Sequence, residues 1–172
     1  MSEKVVVYEV QSDISPVTKA GALLVSWLLT YTVASVSQSQ FVLANLESLG
    51  VIITGNQWLE HTVLDWWGLL PKYGSAVFAA LCIALYVSGR VGRMLKLRSN
   101  WLHPLAGGLA MALMLMLMQP LLDVTLIAGT RSFEGQLWQV IAGITGGLTY
   151  KFLRQDLARW IIQRATSWRK NL

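Results

Sequence analysis

The sequence predicts an all-α fold, a polytopic membrane protein with four transmembrane helices plus amphipathic interfacial helices. Three observations predict it. Of 172 residues, 54% are hydrophobic and only 13% charged, too apolar a balance for a soluble domain of this length. The charges fall in short blocks between long uncharged stretches, as expected if each must avoid hydrocarbon. The apolar stretches are long and unbroken, which suits helices, whereas a barrel would alternate in segments of about ten residues.

Residues 1–19, "MSEKVVVYEVQSDISPVTK", carry acidic groups and no apolar core. They lack the shape of a cleavable signal peptide and are expected to be a cytoplasmic tail, with the first span acting as an uncleaved insertion signal. A bilayer core about 30 Å thick takes roughly 20 apolar residues in helical form. Four windows meet this, at about 20–40, 73–92, 102–128 and 135–153, and together they define a transmembrane domain over 20–153. The first window becomes rich in Ser, Thr and Gln toward its far end.

An outer interfacial segment, 41–72, separates the first two windows. Its first part, "FVLANLESLGVIITG", is interrupted by Glu47 and Gly50 and reads either as an extension of span one or as a re-entrant segment. Its second part, "NQWLEHTVLDWWGLLPK", is an amphipathic helix expected to lie on the membrane and to end at Pro71. Residues 154–172 form an amphipathic basic tail, with Leu157, Trp160, Ile161, Ala165 and Trp168 on one side and Arg159, Gln163 and Thr166 on the other.

Orientation follows from the cations. Lys4, Lys19, Arg90, Arg93, Lys96, Arg98, Lys151, Arg154, Arg159, Arg164, Arg169 and Lys170 fall on one side of a four-span layout, against Lys72 and Arg131 on the other. Twelve against two places both termini in the cytoplasm, in a multi-pass protein of the cytoplasmic (inner) membrane. The net charge of +5 is then a topology signal, and no nucleic-acid partner is expected. Trp58, Trp66, Trp67 and Trp138 fall at the outer boundary and Trp101, Trp160 and Trp168 at the inner one, as anchoring rings do; only Trp27 lies within a span.

Small residues mark the expected helix contacts. Ala76, Ala80, Ala84, Ser88 and Gly92 recur every four residues in span two, Gly143 and Gly147 in span four, and Ala106 and Ala110 beside Gly108 and Ala112 in span three. Such faces let helix backbones approach closely. They suit packing within the bundle or against another subunit.

No catalytic constellation is legible. His61 and Asp65 would share a helical face, but without a third ligand they are read as solvated groups on the amphipathic helix. His103, before Pro104, reads as a residue at the start of a helix at the inner interface. The one cysteine, Cys82, lies inside an apolar run and permits no intrachain disulfide. Neither a metal site nor a cofactor is expected, and the chain is read as non-enzymatic.

The polar groups within the spans compose one candidate pocket. Gln119 and Asp123 lie about 21 and 27 Å along span three from its inner edge, at the depth where span one offers Thr30, Ser35 and Gln38. These form either ordinary interhelical hydrogen bonds or an outward-facing site for an ion, a proton or a ligand. The expected function is an accessory or assembly subunit of a larger membrane complex, with membrane lipids and protein subunits or copies of itself as partners. It would dock through its small-residue faces and the Trp58, Trp66 and Trp67 segment. The alternative is a homo-oligomeric channel, holin-like pore or small transporter that uses the outer pocket.

Overall fold

The computed structural model describes the backbone of residues 16–95, 101–122 and 133–170, and side chains for 18–95, 101–118 and 133–154. The described residues are helical and contain no strand. The helices are α1 (Pro16–Ser48), α2 (Gly55–Leu69), α3 (Ser75–Met94), α4 (Leu102–Leu122) and α5 (Phe133–Lys170). Asp123 and the N-terminal tail before Pro16 lie outside the described residues, as do the side chains of Gln119, Trp160 and Trp168.

Residues 41–48 prolong α1 without a break, so this stretch continues the helix of the first apolar window. What stops the helix is Gly50, whose φ of +87° is a left-handed conformation that glycine adopts without steric cost. Its N–H bonds Glu47 O (2.9 Å) and the next N–H, of Val51, bonds Leu46 O (3.2 Å), closing a Schellman turn. The chain then reverses. Extended Thr54 opens α2, with its N–H bonded to the Gln57 side chain (2.8 Å).

The expectation that Pro71 ends this helix is corrected. The chain passes through Pro71 as one π-helical turn, Leu70–Gly74, and continues as α3, giving a helix from Gly55 to Met94. A π turn pairs each N–H with the carbonyl five residues back. Pro71 has no N–H to offer, and the carbonyl five residues before it, that of Trp66, instead receives the Tyr31 hydroxyl from α1. The lost backbone donor is replaced by a side chain of the neighbouring helix. For the same reason α2 does not lie apart as a surface helix. Its Trp58, Thr62, Asp65, Trp66 and Leu69 are half-buried, and α2 packs back along α1.

Of these helices, the Thr18–Ser48 and Gly55–Met94 stretches are long and apolar enough to cross a membrane, and Leu102–Met118 is apolar but shorter. The fourth window and the basic tail are not separate elements, since α5 runs unbroken through both. The most extensive contact is between α4 and α5, followed by α1 with α5 and α3 with α4. The core between them holds Tyr31, Ala34, Tyr73, Val77, Leu81, Met111, Met118 and Ala142.

Glycines set how closely α4 and α5 approach. A β-carbon at Gly107 or Gly143 would overlap the other's carbonyl oxygen, and one at Gly147 would overlap the carbonyl of His103. Gly143 would also meet Met111 Cγ at 2.6 Å. On an adjacent face of α5, a β-carbon at Gly146 would overlap the Thr30 hydroxyl of α1. In α3 the fully buried stripe is Val77, Leu81, Leu85 and Ser88, while Ala76, Ala80 and Ala84 sit half-buried beside it.

Candidate functional site

Two kinds of hydroxyl line the inner face of α1, and only one can build a site. Ser26 donates to Ala22 O (2.7 Å) and Thr30 to Ser26 O (2.8 Å), each bonding its own helix one turn back. Thr30 is thereby satisfied and wedged against Gly146, so it is a packing residue. The groups that reach other helices lie around the π turn.

Tyr73 lies within that turn and is buried. Its hydroxyl donates to Gln139 Oε1 of α5 (2.5 Å), and Gln139 Nε2 donates to Ala34 O of α1 (3.1 Å). One side-chain amide thus ties three helices. Trp27 Nε1 donates to Gly74 O (2.8 Å), and Trp66 Nε1 donates to Thr32 Oγ1 (3.3 Å). Farther toward the Ser48–Gly55 turn, Ser39 donates to Asp65 Oδ2 (2.8 Å) and Gln40 to Thr62 Oγ1 (3.4 Å). The rings close the same region, with Tyr31 beside Trp66 (centroids 5.5 Å) and Tyr73 (6.2 Å), and Trp27 edge-on to Phe78 (5.6 Å).

Ser35 is the exception. It is fully buried within reach of the Tyr31 hydroxyl, but among the described residues no partner meets full hydrogen-bond geometry at its Oγ. A buried hydroxyl without a partner costs about 1–3 kcal/mol, so Ser35 is where this seam could still accept a water or a small polar ligand. Gln38 is buried nearby on the same helix.

Of the expected pocket, Ser35 and Gln38 face the interior, while the Gln119 side chain and Asp123 lie outside the described residues; among the described residues a deep amide that meets α1 is Gln139. Asp65 is half-buried and paired with Ser39, which corrects its reading as a solvated group; His61 is exposed. Trp66 is half-buried and belongs to the aromatic cluster, whereas Trp67 is 64% exposed. Sequence reasoning missed Gln139 and Tyr73. An isolated amide in the apolar fourth window was the available signal, and nothing near Tyr73 announced the π turn that turns it inward.

At the other end of the bundle, His103 stacks on Tyr150 (5.7 Å, 29°), and the Arg154 guanidinium lies 5.6 Å from the same ring. His103 is half-buried and its Nε2 has no hydrogen-bond partner.

No protein-family model, curated protein or solved structure matches the chain.

Proposed function

We propose that this chain is a four-span protein of the cytoplasmic membrane, with both termini inside, that serves as a non-enzymatic accessory or assembly subunit. The membrane reading is supported by an inversion of side-chain placement. Ser26, Thr30, Ser35, Ser39 and Gln139 are buried, while Leu24, Leu28, Ile83, Leu109, Leu113 and Met116 are exposed. A soluble protein gains stability from the opposite arrangement, whereas hydrocarbon demands that polar groups find partners inside.

The observation that carries the subunit reading is the length of the first hairpin. The 33 residues of α1 and the 40 of Gly55–Met94 correspond to about 50 and 60 Å of helix, against a bilayer core of about 30 Å. The excess falls at the Ser48–Gly55 end, because Lys19 and Arg93 fix the other ends of these helices at the basic boundary. That projecting end exposes Ile52, Leu59, Val63 and Trp67. An apolar stripe carried beyond the bilayer is a contact surface for another membrane subunit.

The test is purification in mild detergent followed by native mass analysis. The expected complex contains unlike chains, and replacing Leu59, Val63 and Trp67 together by Ser should release them while the bundle keeps its helicity. A bare monomer, or a ring of identical chains, would remove the accessory reading. Ser35 favours a second reading, a channel or transporter with an outward-facing polar site. Ring-shaped homo-oligomers whose conductance or uptake changes in Ser35→Ala would support it.

A further inference from the structure

We infer that the basic end of the bundle holds one phosphate-bearing lipid headgroup, seated where the start of α4 meets α5 beside His103, Lys151 and Arg154. The inference rests on the membrane reading above, but on different residues.

Three features converge there. The Tyr150 ring carries His103 stacked at 5.7 Å and Arg154 at 5.6 Å, so one ring brings an imidazole and a guanidinium together. Lys151 follows Tyr150 directly, and its charge and that of Arg154 both act on the imidazole. His103 Nε2 is enclosed and lacks a partner. A buried ring nitrogen with nothing to bond is costly, and an anion with several oxygens could bond it while facing the two cations on α5.

The helix supports the same sign. Among the described residues the backbone bond at this end of α4 is Leu105 N–H to Trp101 O (3.0 Å), and the positive end of the helix dipole faces the same place. Pro104 fixes that turn and is itself buried against Gly147. The close approach of α4 to α5 at Gly147 is what brings the helix start beside Tyr150. Trp101 and Phe152 are exposed close by in sequence, at 64% and 53%. An apolar surface next to an anion site suits a ligand with acyl chains better than a free ion. The ligand chemistry is therefore a phosphate diester of net negative charge, in a headgroup with no cation of its own, with the chains lying along the exposed faces of α4 and α5.

The experiment uses the full chain in mild detergent, titrated separately with phosphatidylglycerol, phosphatidylcholine and inorganic phosphate and read by native mass spectrometry. One phosphatidylglycerol per chain is expected to survive activation, with phosphatidylcholine and inorganic phosphate retained several-fold less. Lys151→Gln and Arg154→Gln should each weaken retention roughly fivefold, as for one basic group at an anionic surface. Arg154→Lys should recover most of it. His103→Phe keeps a stacking ring, removes the nitrogen and should also weaken binding. Arg93→Gln, an exposed residue of α3 bonded to Gly89 O, should change nothing.

Equal retention of phosphatidylcholine, or undiminished retention in both charge variants, would overturn the site and reduce it to a general lipid belt. Inorganic phosphate held as firmly as the lipid would overturn the lipid assignment. Failure of the membrane reading shows itself separately, as a chain recovered folded in buffer without detergent. Melting curves in lipid-free detergent identify any variant that has merely lost its fold.

Discussion

Where α4 meets α5 the contact is backbone against backbone, and where α1 meets the Gly55–Met94 helix it is made by side chains that reach backbone and side-chain partners. In the first, Gly107, Gly143 and Gly147 remove every atom that would separate the helices. In the second, Trp27, Tyr31 and Ser39 reach across to Gly74, Trp66 and Asp65. On the proposed membrane reading the difference is instructive, because lipid tails offer helices no hydrophobic reason to associate. One contact relies on close van der Waals approach and tolerates no addition. The other relies on hydrogen bonds and loses strength in steps.

The sharpest way to break this comparison is Gly143→Leu. The first added carbon overlaps the Gly107 carbonyl, which is helix backbone and cannot swing aside, so the cost should reach or exceed the ~3 kcal/mol at the upper end of ordinary overpacking. Loss of the folded monomer in detergent, seen by thermal melting, is the expected result. A variant that melts like the parent would mean that α4 and α5 stand farther apart.

The polar contact should respond more mildly. Tyr73→Phe and Gln139→Leu each break the three-helix tie, and a double-mutant cycle between them should give a coupling near 0.6 kcal/mol and no more than about 1.7 kcal/mol, the span measured for hydrogen bonds between membrane helices. Strict additivity would show that the Tyr73–Gln139 bond does not hold the π turn in place.

The smallest effect sharpens the glycine argument by its sign. Nothing lies within 4 Å of a β-carbon built at Gly89 on α3. Gly89→Ala should therefore stabilise by about 0.5–1 kcal/mol through helix propensity alone, a small rise in melting temperature. Opposite signs at Gly89 and Gly143 would separate a glycine that merely occurs in a helix from one that two helices require.

Much of the helical plan is legible locally. Long apolar windows announced the helices, and the four-residue spacing of Gly143 and Gly147 announced a close face on α5. The partner of that face was not legible, because Gly107 becomes its counterpart only through the antiparallel register of two separate helices. The candidate seam was legible in part. The Ser and Thr residues of α1 were visible as a polar stretch, but a hydroxyl that bonds its own helix and one that crosses to a neighbour look alike in sequence. Thr30 does the first, Ser39 can do either, with Ser35 O at 3.2 Å and Asp65 Oδ2 at 2.8 Å, and Ser35 meets full bonding geometry with neither.

What the sequence determined by itself, then, is what depends on neighbours within a few turns: helix formation, the interruption at Gly50, and the grouping of charges into short blocks along the chain. What only the tertiary structure decided is the course of the chain at Pro71 and the roles of Tyr73 and Gln139. Proline removes a donor wherever it stands, and whether the helix then ends or continues depends on who supplies the missing hydrogen. Here Tyr31 supplies it to Trp66 O from another helix. The π turn that results carries Tyr73 into the bundle, to an amide 66 residues away in the chain. No local pattern could specify that meeting, because the energy that stabilises it arises only when the helices have packed.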